Sequence, residues 1–313
     1  MNVITGITSQ SGIYLSNLLT NRGEKVIGLT RSTSHKNLKE IDKRVQVIEF
    51  DYLNMKLLNP IFENENSICI YNIVAQSSVS YSFTNQIETM ELNYNFVIGL
   101  LKTIRTFSKD KQIKLIQVGS SEMFGHNSDL PWSESTKFSP QSPYAVSKVL
   151  AFEYCEDLKN RFHLWISNVI MFNNESRYRK KGMLTKQIAS QISEIQTGIR
   201  TKIEIEDLNI SRDWMHTSDS ARALFEISKL DTPTNFVVAS SKETSLLELI
   251  NIFLRVSNIS KDVPILSSKA PTFKSYYARR VVGDNTKLLN STSWHQTVSL
   301  QDMVRDIRIN NDK

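Results

Sequence analysis

Six short apolar runs, with stretches of helical spacing between them, constrain the first half of this chain more than any other feature. They are Asn2 to Thr5, Lys25 to Thr30, Val45 to Phe50, Ser67 to Val74, Ile113 to Val118 and Leu164 to Ile170. Short continuous apolar runs bounded by polar turns read as buried strands. Strands alternating with helices predict an α/β chain with a doubly wound parallel sheet. Ligands of such sheets bind beyond the carboxyl ends of the strands. The residues that follow each run are therefore the first candidates for a site.

The first run leads into Gly6-Ile7-Thr8-Ser9-Gln10-Ser11-Gly12 and then into a segment with Ile13, Leu15, Leu18 and Leu19 at helical spacing. Strand, glycine turn and helix form the dinucleotide-binding arrangement of a Rossmann-type sheet, with helix N-terminal amides facing a pyrophosphate. Gly6 lets the turn close and Gly12 lets the helix approach the strand; Ser9 stands at the middle glycine position. An NAD site calls for an acidic residue near the end of the second strand, and here Thr30-Arg31-Ser32-Thr33 follows. Arg31 suits a 2′-phosphate or the adenine face, so NAD and NADP both stay open. Asp51 ends the third run and suits either an adenine amine or a cap. The fourth run ends in Ala75-Gln76-Ser77-Ser78, and a long amphipathic helix is expected from Gln86 to Ser108. Asn93 inside that helix has two readings, a bond to backbone near the sheet or exposure to solvent.

The fifth run delivers Ser120, Ser121 and Glu122, and Ser142-Pro143 then opens a helix carrying Tyr144 and Lys148. Ser is a good N-cap and Pro a good first helical residue. Residues four apart share a helix face, and an ammonium near a phenol favours the phenolate. Tyr144 is the expected base, with Ser120, Glu122 and Lys148 around it. A Tyr four before a Lys also occurs at Tyr52 and Lys56, so the pair has meaning only beside a nucleotide-binding sheet.

The remainder, residues 173–212 and 240–313, reads as a smaller mixed α/β substrate lobe. Residues 1–172 and 213–239 form the dinucleotide-binding domain. Cys69 and Cys155 give neither a disulfide framework nor a zinc spacing, and a reducing cytoplasm is expected. No basic leader and no apolar run of membrane-spanning length are read. The net charge of +6 is scattered apart from Arg177-Tyr178-Arg179-Lys180-Lys181. A polyphosphate-bearing small substrate explains it as well as nucleic acid does. No metal, nucleic-acid or membrane partner is expected.

The chain resembles the extended short-chain dehydrogenases/reductases, and among them the GDP-mannose 4,6-dehydratase branch. The resemblance runs nearly end to end through GITSQSGIYL, NIVAQSSVSYSF, GSSEMFG, SPQSPYAVSK, FNNES, GMLTKQI, SRDWMHTSDSARA and VVGDNTKLL. It implies that Tyr144 takes the proton of the sugar 4-hydroxyl as hydride leaves carbon 4. Lys148 holds the nicotinamide ribose and lowers the Tyr144 pKa, and Ser120 bonds the 4-oxygen. Glu122 takes the carbon 5 proton where water is eliminated from carbon 6. The implied cofactor set is Gly6, Ser9, Gln10, Ser11, Gly12, Arg31, Asp51, Tyr52, Ala75, Gln76 and Ser77, with Tyr144 and Lys148. Ser78, Ser121, Asn173, Lys186 and Arg212 are assigned to the substrate. The resemblance further implies a homo-oligomer, dimer or tetramer, with the basic loop Arg177 to Lys181 reaching a neighbouring subunit's cofactor.

The departures shape the expectation. Ser9 and Ser11 replace Gly and Asp of the family's phosphate turn, Thr30-Arg31-Ser32 replaces Lys-Arg-Arg, and Asn174 replaces His. The family's Arg-Pro-x-Glu segment near the guanosine has no counterpart, and Lys274 to Arg280 occupies its place. These changes favour NAD over NADP. They also favour an enzyme that oxidises carbon 4 of a GDP-linked manno-configured sugar and stops there. GDP-D-glycero-D-manno-heptose is one such sugar used in the branch. The alternative is a 4,6-dehydratase on GDP-mannose or the heptose. A non-enzymatic nucleotide-binding module is disfavoured by the intact set Ser120, Tyr144 and Lys148.

Overall fold

A computed structural model describes residues 1–267 and 277–309. The strands are β1 Asn2–Thr5, β2 Val26–Thr30, β3 Gln46–Glu49, β4 Ser67–Asn72, β5 Gln112–Val118, β6 Trp165–Met171, β7 Asn173–Glu175, β8 Ile203–Ile205, β9 Ser211–His216, β10 Phe236–Val238, β11 Glu243–Ser245 and β12 Ile265–Ser267. The helices are α1 Gln10–Asn21, α2 Asn59–Asn64, α3 Val79–Thr84, α4 Gln86–Met90, α5 Phe96–Phe107, α6 Pro143–Phe162, α7 Leu184–Gln196, α8 Thr217–Ser228, α9 Leu246–Val256, α10 Thr286–Ser291 and α11 Leu300–Arg308.

Seven strands form one sheet in the order β10-β6-β5-β4-β1-β2-β3, with every pairing parallel. Parallel strands are covered on both faces, so their sequences run apolar rather than alternating. Val3 and Ile27 pack with Phe96, Leu100 and Leu158 on one face, while Ile4 and Ile116 pack with Leu15, Leu19 and Leu224 on the other. Edge strand β3 is the least buried strand of the sheet and carries Gln46 and Glu49 outward, as an unpaired edge requires. The strand order reverses between β1 and β4, which is where an open sheet of this kind forms its ligand crevice.

A separate apolar cluster joins Ile188 and Ile192 of α7, Ile203 of β8, Leu249 and Phe253 of α9, and Met303 and Ile307 of α11. The sequence places residues 240–313 wholly in that lobe, but Leu288 of α10 and Trp294 pack with α8 and β10 against the main sheet. Their apolar faces have the larger core within reach, and the chain returns to it before α11. The single helix expected from Gln86 to Ser108 is also divided. Glu91–Asn95 forms a π-helical segment between α4 and α5, and its cause lies in the site.

Candidate active site

The glycine turn is as tight as its sequence demands. Gly6 has φ +68°, and a Cβ on it would lie 3.0 Å from the Val74 Cα. A Cβ on Gly12 would come within 2.6 Å of the carbonyl oxygens of Gly6 and Ile7. Ser9 caps α1, its hydroxyl accepting from the Gly12 amide at 3.1 Å. That leaves the first-turn amides of Gln10 and Ser11 as donors for a pyrophosphate. The Ser11 side chain itself is buried, so only its backbone suits this task.

Two residues assigned to the cofactor are committed elsewhere through their side chains. Tyr52 is buried beneath the turn; its hydroxyl accepts from the Gly6 amide at 3.1 Å and donates to the Leu29 carbonyl at 3.2 Å. Its ring stands edge-on to Phe50 and Phe96. An aromatic body seeks the core while its hydroxyl seeks partners, so Tyr52 props the turn rather than facing a ligand. Gln10 donates to the carbonyl and side-chain oxygens of Asn174 at 2.9 and 3.0 Å. It also accepts from the hydroxyls of Ser176 and Thr217, clasping the turn to β7 and α8. Arg31 and Asp51 are exposed at the ends of β2 and β3. Asp51 accepts from the Leu53 amide at 2.9 Å, which makes it the cap of a turn rather than of a helix.

The loop Ala75-Gln76-Ser77 lies beyond β4 and is held by the π segment. Asn93 is 1% exposed. Its side-chain oxygen accepts from the Gln76 amide at 2.9 Å, and its Nδ2 donates to the Gln76 carbonyl and the Ser147 hydroxyl, both at 3.0 Å. Of the two readings of Asn93, the bond to backbone is the one observed. The extra residue of a π turn aims that side chain inward, a common device at functional sites. Ser78 caps α3, accepting from the Tyr81 amide.

Ser120 lies near enough to the Tyr144 phenol to lower its pKa, and its hydroxyl accepts from the Glu122 amide at 3.2 Å as the cap of the turn Ser121–Phe124. Ser121 is buried in that turn. Ser142 caps α6, accepting from the Ala145 amide at 3.1 Å, and Pro143 begins the helix. The sequence expects Lys148 to lower the Tyr144 pKa, and the structure reverses the balance. Burial pushes the phenol up to about 12; the Ser120 hydroxyl and the Arg179 charge pull it down, and Glu122 pushes it further up. Burial brings Lys148 down to about 8.

Glu122 is raised by burial, with Arg212 opposing. Arg212 comes from β9, buried, with Nη1 donating to the carbonyls of Ser211 and Arg279 at 2.9 and 3.1 Å. Its neighbour Asp213 points the other way and accepts from the Ser240 amide and hydroxyl and from the Ser241 and Gly283 amides. Asn173 is half-buried on β7. Lys186, assigned to the diphosphate, is instead 5% exposed and donates to the Ile307 carbonyl at 2.7 Å. It anchors α11, because a buried ammonium must find an acceptor. In the basic loop, Arg177 binds Asp306, the Tyr178 hydroxyl binds Glu40 and Arg179 lies 3.2 Å from Glu175. Lys180 and Lys181 are exposed. The replacement segment from Lys274 to Tyr276 lies outside the described residues.

Sequence reasoning missed the polar chain beneath the crevice. The Thr5 hydroxyl donates to Asn72 at 2.6 Å and accepts from the Ile73 and Val74 amides, and Asn72 donates to Gln117 at 2.7 Å. One polar residue near the end of each of three adjacent apolar strands was its signal.

A protein-family model for GDP-mannose 4,6 dehydratase matches residues 3–307. The GDP-mannose 4,6-dehydratase of Vibrio cholerae serotype O1 is 27% identical, over 97% of this chain and 91% of that one. GDP-mannose 4,6 dehydratase 1 of Arabidopsis thaliana is 29% identical, over 97% and 87%. Among solved structures, the dTDP-glucose 4,6-dehydratase of Bacillus anthracis in complex with NAD superposes with a TM-score of 0.81 at 19% identity, covering 97% and 96%.

Proposed function

Because this chain belongs to the GDP-mannose 4,6-dehydratase family, we propose that it is an NAD(P)-dependent dehydratase of a GDP-linked manno-configured sugar. The family names favour full dehydration over the plain carbon 4 oxidation that the sequence departures suggest. The observation that carries the reading is one turn of chain. It presents Ser120 beside the Tyr144 phenol, and two residues on it presents the half-buried Glu122 carboxyl under the Arg212 charge.

The residues present fit a dinucleotide. The Gly6–Gly12 turn and the first turn of α1 suit the pyrophosphate, and Lys148 suits the nicotinamide ribose. When bound, the nicotinamide supplies a hydride acceptor for carbon 4 and returns the hydride after elimination. Tyr144 takes the 4-hydroxyl proton, and Ser120 holds that oxygen. The ketone acidifies the neighbouring carbon 5, Glu122 removes its proton and passes it to the carbon 6 hydroxyl, and that group leaves as water. A base of raised pKa is matched to this work, since proton transfer is most efficient near the operating pH. Arg212 balances the carboxylate and stands where the diphosphate is expected, with Asn173.

Among the described residues no helix is long and apolar enough to cross a membrane. Action in the cytoplasm as a homo-oligomer completes the proposal. The test is mass spectrometry of the purified protein with GDP-mannose, and with GDP-D-glycero-D-manno-heptose, plus either cofactor. A product lighter by one water supports dehydration. A product lighter by two hydrogens, with one reduced cofactor per turnover, replaces it with a 4-dehydrogenase.

A further inference from the structure

Gln10 opens α1 directly after the Ser9 cap, so its backbone amide is one of the donors suited to a pyrophosphate. Its side chain reaches across to β7. A glutamine amide offers two donor hydrogens and an oxygen with two lone pairs, and here all four are engaged. Nε2 donates to the Asn174 carbonyl at 2.9 Å and to its Oδ1 at 3.0 Å. Oε1 accepts from the Ser176 hydroxyl at 2.8 Å and from the Thr217 hydroxyl at 3.1 Å. Ser176 and Thr217 are fully buried, and a backbone carbonyl can only accept. The amide therefore has one orientation open to it and no capacity left for a ligand.

The partners give this tie its meaning. Asn174 is the middle residue of β7, directly after Asn173. β7 pairs with β9, Asn174 in register with Met215, and β9 pairs with β11. That small sheet carries two residues expected at the substrate, Asn173 on β7 and Arg212 on β9. Ser176 directly follows β7 and Thr217 directly follows β9, so Gln10 grips the same end of both strands. One side chain joins the turn that suits the dinucleotide to the sheet that suits the sugar nucleotide. Hydride transfer depends on the gap between two separately bound molecules, and a misplacement of about 1 Å can cost about 10²-fold in rate. We propose that Gln10 is a positioning residue for hydride transfer, holding the substrate sheet in place against the first turn of α1. The proposal rests on the dinucleotide reading of the site and deepens it by naming the side chain that sets one ligand against the other.

The test compares the wild type with Gln10→Met, which keeps the length of the side chain and none of its four bonds. Three quantities are read on protein stripped of bound nucleotide. They are hydrogen exchange at the amides of residues 173–176, calorimetric Kd values for NAD, NADP and GDP titrated separately, and the single-turnover rate of hydride transfer from GDP-mannose or GDP-D-glycero-D-manno-heptose. Exchange should quicken, the Kd values should stay within about threefold of wild type, and the rate should fall about tenfold or more. Asn174→Ala keeps the bond to its own carbonyl and loses only the one to Oδ1, so it should fold as the wild type does and show a smaller fall in the same rate. Wild-type hydride transfer in both variants overturns the inference. So does unchanged exchange in β7, and so does a fall in rate matched by weaker dinucleotide binding, which would make Gln10 a cofactor ligand. A wild type that transforms neither sugar with either dinucleotide overturns the enzymatic reading itself.

Discussion

Lys148 donates its Nζ proton to the carbonyl of Val118 at 3.0 Å, so α6 is tied to the last residue of β5. Ser120 lies two residues further on. The bond fixes the height of Tyr144 against Ser120, and it does so with an ammonium that is only 4% exposed.

That burial has a stability cost that can be measured. The unfolded chain holds the Lys148 proton up to about 10.5 and the folded chain releases it near 8. Between those values the unfolded state binds more protons, so stability rises with pH. Below about 8 the penalty is present in full. One pKa unit is about 1.4 kcal/mol, and losing the bond to Val118 returns about 1 kcal/mol of it. Lys148→Met is therefore expected to stabilise the fold by about 2 kcal/mol near neutral pH. The gain should vanish above pH 10.5, while turnover is abolished. Urea titrations at several pH values check this, and a destabilised variant at neutral pH contradicts it.

Tyr144→Phe removes the phenolic oxygen and keeps the buried ring, which is 7% exposed. Hydride transfer should fall by roughly 10²-fold or more, the usual worth of a positioned acid or base. The cofactor Kd should stay nearly unchanged. Single-turnover absorbance of the reduced nicotinamide separates the two effects. Turnover near the wild-type rate would remove Tyr144 as the base.

Glu122→Gln should divide the two halves of the reaction. Oxidation at carbon 4 survives, and loss of water stops. In the wild type, burial raises the Glu122 pKa. Elimination should then fall off with decreasing pH through a value above the ordinary carboxylate range, and that limb should be absent from any residual activity of the variant. If the variant still releases water at the wild-type rate, the carbon 5 base is another group.

The sheet, the glycine turn and the start of α6 were legible because each follows from a local signal. Apolar runs specify buried strands, glycines at six-residue spacing specify the turn, and Ser-Pro specifies the start of α6. What was not legible depends on residues far apart in the chain. Lys186 looks like a substrate cation until the Ile307 carbonyl arrives beside it. Tyr52 looks like a site residue until the Gly6 amide claims its oxygen. The dominance of burial over the Ser120 and Arg179 contributions at Tyr144 is likewise a property of the folded interior, and four-residue spacing does not contain it.

The α6 face turned away from the sheet yields a prediction about assembly. Val146 and Leu150 are 39% and 37% exposed, and Ile87 on α4 is 78% exposed. Val146 and Leu150 are four apart and share one helix face, continued by the edge-on pair Tyr94 and Tyr154. The expected partner is the same face of a second copy about a two-fold axis. Leu150→Arg should yield a monomer by light scattering at micromolar concentration, with the wild type at least dimeric. A monomeric wild type contradicts the expectation.

Asn93 joins the loop after β4 to α6 through three hydrogen bonds, and its removal should be felt at both ends. Asn93→Ala leaves the Gln76 amide and carbonyl without their partner and frees the Ser147 hydroxyl, which itself donates to the Tyr144 carbonyl at 2.7 Å. Each unsatisfied buried group costs about 1–3 kcal/mol, so a loss of about 2–4 kcal/mol in stability is expected. The π segment exists to deliver this side chain, and without it α4 and α5 lose the reason for their break. Asn93→Asp keeps the bond from the Gln76 amide and loses the two donated ones, so it should recover part of the stability. If Gln76 matters to the cofactor only through its backbone, both variants should weaken dinucleotide binding more than they slow the chemical step. Denaturant titration with cofactor Kd and single-turnover rates measures all three quantities. Wild-type cofactor affinity in a destabilised Asn93→Ala protein would confine Asn93 to a structural role.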